Sequence, residues 1–141
     1  MGKTRGDDMK MWNPYEHSRQ HPHDFIVKYR FYTPEEGGRK QLPIQGYRCD
    51  FSYEGDDITT TGIYAIHPEF EDEEGQLIMD TRHPVHREGQ ARMWILFGEM
   101  REKVHRHRIH VGTRGYFMEG PRRVGEVEVT SLVGLLTNPL D

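Results

Sequence analysis

Cysteine is nearly missing from this 141-residue chain: Cys49 is the only one. That excludes a disulfide framework and a cysteine-based zinc site within one chain. No run of eighteen apolar residues occurs, so no transmembrane helix is expected. The N-terminus lacks the apolar stretch of a secretory signal, and a cytoplasmic protein is the expectation. Met1-Gly2 opens like an N-myristoylation site, but Gly6 stands where serine or threonine is required. Gly2-Lys3-Thr4 ends like a phosphate-binding loop, yet the upstream glycine, the strand and the helix of such a loop are missing. No Gly-x-Ser-x-Gly elbow is present. Long amphipathic helical periods are absent as well.

What remains is a chain lean in apolar residues (34%) but rich enough in aromatics (11%) to build one core. Fifteen glycines and eight prolines suit short strands and turns. Residues 1 to 23 are polar, without a sustained apolar period, and read as a flexible tail. Alternation then predicts strands over 24–32, 46–53, 58–66, 90–97, 104–111 and 124–136. An acidic loop is expected over 67–75, with a short strand at 77–79. Residues 98–103 can make a helical turn, and 116–121 lead into a turn. Short strands at roughly ten-residue spacing predict an all-β barrel or sandwich in a single domain.

Charge is segregated along the chain. Residues 54–80 hold nine carboxylates and no Lys or Arg, whereas residues 82–123 hold ten Lys and Arg against four Glu. Arginine outnumbers lysine fourteen to five, and its planar fork suits phosphate or carboxylate. On the 104–111 strand, Arg106 and Arg108 would share one face, with Arg114, Arg122 and Arg123 in the segments that follow. Trp94, Tyr116 and Phe117 interleave with them, as on a surface that neutralises phosphates. Nine histidines are present, His105 and His107 at alternate positions, but no carboxylate completes a ligand set, so no metal is expected. The run Glu69 to Glu74 reads as a solvated loop rather than an acid–base pair. Cys49 reads as a buried thiol. Gly37-Gly38 is expected to hold a turn whose backbone needs glycine's freedom, and Gly38→Val to destabilise the fold if φ at Gly38 is positive.

Two stretches carry a resemblance. Tyr32-Thr33-Pro34-Glu35-Glu36-Gly37-Gly38-Arg39, then Gly46-Tyr47-Arg48-x-Asp50-Phe51, is similar to the family pattern EGGR, spacer, GYRPQF. Tyr116 to Gly125, through Glu119-Gly120-Pro121-Arg122-Arg123, is similar to the closing hairpin FAIREGGRTVGAG. Between them, Val85 to Met93 looks like the MVMPGDN strand entry, and Asp57 to Gly62 looks like DVTG. Residues 24–137 thus resemble the C-terminal, third domain of elongation factor Tu, as a free-standing domain with an acidic insertion near 67–80. The resemblance implies a closed antiparallel barrel of about six strands. It also implies a module without chemistry of its own, since the roughly 23 preceding residues are too few for a GTPase fold.

By the same resemblance, Arg39, Arg48, Glu119 and Gly120 match positions on or near the family's tRNA side. Asp50 stands where the family has glutamine. The expected binding surface comprises Arg39, Arg48, Arg106, Arg108, Arg114, Glu119, Gly120, Arg122 and Arg123. Its partner would be tRNA or another structured RNA; the alternative is a translation-related protein or a toxin. No cofactor is expected.

Overall fold

The computed structural model describes residues 11–141; the Met1-Gly2 and Gly2-Lys3-Thr4 motifs lie outside them. Six antiparallel strands form one curled sheet: β1 (Phe25–Phe31), β2 (Asp50–Tyr53), β3 (Ile66–Phe70), β4 (Glu88–Ile95), β5 (Arg114–Glu119) and β6 (Arg122–Leu132). Their order across the sheet is β2-β5-β6-β1-β4-β3. The sheet is a half-barrel rather than the closed barrel expected. Its end strands are stitched by one bridge, where Phe51 and Tyr64 exchange backbone hydrogen bonds of 2.9 and 2.8 Å. No ladder continues on either side of it among the described residues.

Alternation explains the best-formed strands. In β1, Phe25, Val27, Tyr29 and Phe31 are buried, while Lys28 faces solvent. In β4, Ala91, Met93 and Ile95 point the same way, paired with β1 in the register Val27↔Ala91 and Phe25↔Met93. Phe51, Phe70, Phe117, Val127 and Val129 complete this core. Edge and stacked ring contacts knit it, with Phe31 stacked on Phe117 at 5.2 Å and Tyr29 edge-on to Phe70 at 5.2 Å. The β5–β6 hairpin closes through Gly120-Pro121; a φ of 56° at Gly120 is open to glycine at little cost.

Several expectations need correction. The 104–111 strand is helical: a π-helical turn (Arg101–His105) runs into the short helix Arg106–Arg108. Arg101, His105 and Ile109 are buried at a spacing of four, a helical stripe written mostly in polar residues. The 58–66 strand is instead a one-turn helix (Ile58–Thr61). Asp57 caps it by accepting from the Thr59 amide at 3.0 Å, and Gly62 ends it with a φ of 75°. The 46–53 strand shortens to β2, because Gly46 turns at a φ of 98° against the Trp12 ring. The 67–75 loop begins as strand: His67, Glu69 and Phe70 belong to β3 and are buried. At 77–79 only a single Glu71–Leu77 bridge forms.

Nor are residues 11–23 a tail. The Trp12 amide donates to Met79 O at 2.8 Å, and a short helix (Tyr15–Arg19) lies on the outer face of β3 and β4. Glu69, 1% exposed, fastens this segment: it accepts from the Trp12 indole (2.6 Å), the Tyr15 amide (2.9 Å) and the Trp94 indole (2.9 Å). Three donors satisfy a carboxylate that could not otherwise be buried.

Immediately before β1, Asp24 and Arg101 form an ion pair of 2.7 Å, both essentially solvent-free. Asp24 also accepts from the Ile95 amide (2.8 Å) and Asn138 Nδ2 (3.0 Å). Its own carbonyl takes the amides of Val133 and Leu135. Arg101 reaches Ile95 O and Pro139 O. The end of β4, the 101–105 turn and the chain after β6 are thereby tied to one residue.

Two measurements follow from these buried groups. Arg101→Met is expected to cost about 3–5 kcal/mol in urea unfolding, because it strands the Asp24 carboxylate. The double variant Asp24→Leu/Arg101→Met should recover part of that loss. The second concerns histidine. Burial pushes His105 and His67 down to about 4 from an ordinary 6.5. Between those values the unfolded chain binds more protons than the folded one, so stability falls as pH drops from about 6.5 to about 4. Thermal melts across that window should show the decline, and His105→Asn should make it shallower by the share that His67 does not carry.

Candidate functional site

Arg39 and Glu119 are the most closely joined of the expected site residues. After β1, Thr33 caps a turn of 3₁₀-helix (Pro34–Glu36) in a reciprocal capping box with Glu36. Gly37 ends it with a φ of 91°. The positive φ thus falls on Gly37 and not on Gly38. Gly38 is required for another reason, since a Cβ there would lie 2.2 Å from Tyr32 O. The turn delivers Arg39 to the β5–β6 hairpin. Its guanidinium donates to Glu119, lies 4.9 Å from the Tyr47 ring centre, and its Nε donates to Gln41 O at 3.0 Å. The Tyr47 hydroxyl donates to the same Glu119 oxygen. Partial burial pushes the Glu119 carboxyl up, but the bonds from Tyr47 and Arg39 outweigh it and hold the group below its ordinary value. Arg122 approaches Glu119 at 3.5 Å. Gly120 occupies the hairpin tip.

The remaining arginines do not join this group. Arg108 and Arg114 sit at the far end of β5. Arg108 makes a bidentate pair with Asp56, both bonds 2.9 Å, and lies 3.9 Å over the Tyr53 ring. Arg114 bridges Glu54 and Glu128, each at 3.3 Å. Arg106 donates to Leu135 O (2.7 Å) and Asn138 O (2.9 Å), bracing the C-terminal turn. Arg123 stacks 4.0 Å over Tyr116 on the outer face. Arg48 is exposed and has no ion pair among the described residues; its charge acts on Arg19 and His67.

The positive block at 82–123 is thus largely neutralised by carboxylates from elsewhere. Arg92–Glu71 (2.8 Å), Arg108–Asp56 and Arg114–Glu54 bring the acidic run onto the basic one. Linear segregation became pairing across the sheet. Such pairs leave few guanidinium donors for phosphate.

A feature not visible in the sequence is the seam where the sheet stays open. Beside the Phe51–Tyr64 bridge, between the start of β2, the segment leading into β3 and the segment after β4, lies a cleft of about 360 Å³, lined by Asp50, Ile63, Tyr64, Phe97, Glu99 and Met100. Its walls are apolar and its rim acidic. Phe97 is 55% exposed, and Leu96, Val133, Leu136 and Leu140 on the neighbouring segments are also exposed. Single exposed apolar residues are ordinary; Phe97 stands apart because it also lines the cleft.

Among the described residues no group of His, Cys, Asp and Glu could hold a metal ion. Cys49 is buried, and burial raises its thiol far above its ordinary value, so it is no nucleophile at neutral pH. Among the described residues no helix is long and apolar enough to cross a membrane. No protein-family model and no curated protein matches the chain.

The Arg39 cluster and its glycine turn separate structure from function by mutation. Gly38→Val should lower the melting temperature sharply, because the new side chain collides with the backbone of Tyr32. Arg39→Ala should cost only about 1 kcal/mol by chemical denaturation, since its ion pair is partly exposed.

Proposed function

We propose that this chain is a non-enzymatic docking module, built like the third domain of elongation factor Tu, and that it binds a protein. The observation that carries the reading is the disposition of charge and apolar surface. Arg39, Arg108 and Arg114 are engaged by carboxylates, and Arg106 by carbonyls, within the chain. The seam cleft, by contrast, combines Phe97, Met100 and Ile63 with the carboxylates of Asp50 and Glu99. An apolar segment flanked by lysine or arginine complements it: the apolar side chains gain burial and the flanking cations steer the approach. The resemblance of residues 24–137 to the translation-factor domain supports a partner from translation. It supplies no catalytic group, and the paired carboxylates are structural.

Backbone binding to tRNA is the second reading, favoured by the exposed Arg48 and by Arg123, which has no carboxylate partner among the described residues. The two separate in one experiment. The purified chain is immobilised and exposed to lysate with and without RNase, alongside Phe97→Asp and Arg48→Gln/Arg123→Gln variants shown by circular dichroism to be folded. A protein retained after RNase, lost with Phe97→Asp and kept by the arginine variant, is the expected result. Retention of tRNA that falls steeply with salt and vanishes in the arginine variant would replace it with the RNA reading.

A further inference from the structure

We propose that the outer face of β3 and β4, beneath the N-terminal segment, binds a phosphate-type oxyanion through Arg19, Arg48, Tyr15 and His67. Nothing in the docking reading requires this site. It begins with four buried polar atoms that have no hydrogen-bond partner among the described residues: Tyr15 Oη, Arg19 Nη1, His23 Nε2 and His67 Nδ1. Tyr15 and His67 are 5% and 7% exposed, so neither side chain can turn to solvent for compensation. Buried polar groups left unpaired are rare and costly, and four in one place call for an explanation.

They gather around Trp94. Its ring centre lies 5.7 Å from that of Tyr15 and 6.1 Å from that of His23. The Arg19 guanidinium lies 5.4 Å from the Trp94 ring centre and 4.3 Å from that of Tyr15. His67 is the register partner of Trp94 across β3 and β4. The site is cationic. Burial, then the charges of Arg19 and Arg48, keep the His67 imidazole neutral at physiological pH. Of the nearby carboxylates, Glu71 is paired with Arg92 and Asp24 with Arg101, while Glu69, bonded only by neutral indole and amide donors, keeps its charge and offsets one of the two guanidiniums. Arg19 and Arg48, whose charges act on one another, form no ion pair among the described residues, and together they exceed the single charge of Glu69.

The available groups choose the ligand. Guanidinium N–H, phenol O–H and an imidazole N–H in the Nδ1-protonated tautomer are all donors. They come from the Tyr15–Arg19 helix, from β3 and, with Arg48, from the segment before β2, a number of separate donors that suits the four oxygens of a phosphate-type ion. On the solvent side of Arg19 lies a cleft of about 480 Å³, lined also by His21, Leu96, Arg101 and Asp141. The burial of Tyr15 and His67 admits a free ion or a terminal phosphoryl group and excludes an internal nucleic-acid phosphate.

The chain supplies its own reporter, because its two tryptophans, Trp12 and Trp94, both line this face. Inorganic phosphate, titrated against chloride at constant ionic strength, should give a saturable change in tryptophan fluorescence and a rise in melting temperature. A parallel titration with glycerol phosphate distinguishes the free ion from a phosphate monoester as the better ligand. Arg48→Gln, at an exposed position, and Tyr15→Phe should each keep the fold by circular dichroism and weaken binding at least tenfold. The proposal fails if phosphate, glycerol phosphate and chloride give the same trace. It also fails if both folded variants bind phosphate as the wild-type chain does.

Discussion

The buried pair of Asp24 and Arg101 is the constraint on which the rest of the structure depends. A charge pair without solvent is stable only when every remaining lone pair and proton is used. Here the carboxylate takes an amide from the end of β4, a guanidinium from the π-helical turn and an amide side chain from the C-terminal segment. Three pieces of chain distant in sequence are thereby fixed at the first residue before β1. The end of β4, the 101–105 turn and the chain past β6 all meet at that junction.

A second buried acid plays the corresponding part on the outer face. Glu69 draws in Trp12, Tyr15 and Trp94, so an N-terminal stretch without apolar periodicity packs by hydrogen bonding to a strand. The functional readings rest on these two acids. One sets the frame of the seam cleft, and the other closes the cationic face around Trp94.

How much of this was legible depended on whether burial was written in apolar residues. β1, β4 and β6 were read from period-two alternation because their inward positions are Phe, Val, Tyr, Met and Ile. The helical turn over 98–103 is legible, but its continuation from 104 to 108 is not, because its buried position is His105, which an apolar pattern does not register. Its Arg-His alternation fitted a strand equally well. Glu69 was hidden inside an acidic run that resembled a solvated loop, although it sits beside Phe70, the most buried residue of that run. The Asp57-x-Thr59 cap was in plain view, but the threonines that follow favour strands and decided the reading. The site arginines were identifiable as residues and not as a patch, since pairing across the sheet is a property of register.

The unclosed sheet has a consequence for self-association. Its two outermost strands present backbone that another chain could extend, the usual route to fibrils and swapped dimers. Both borders are blunted. β2 is only four residues long and spends Phe51 on the bridge to Tyr64. β3 carries Pro68 at its centre, a residue with no amide hydrogen to offer a ladder. A visiting strand would find neither length nor a continuous row of donors. Recognition at this border is therefore left to side chains, which can discriminate between partners in a way that backbone pairing cannot.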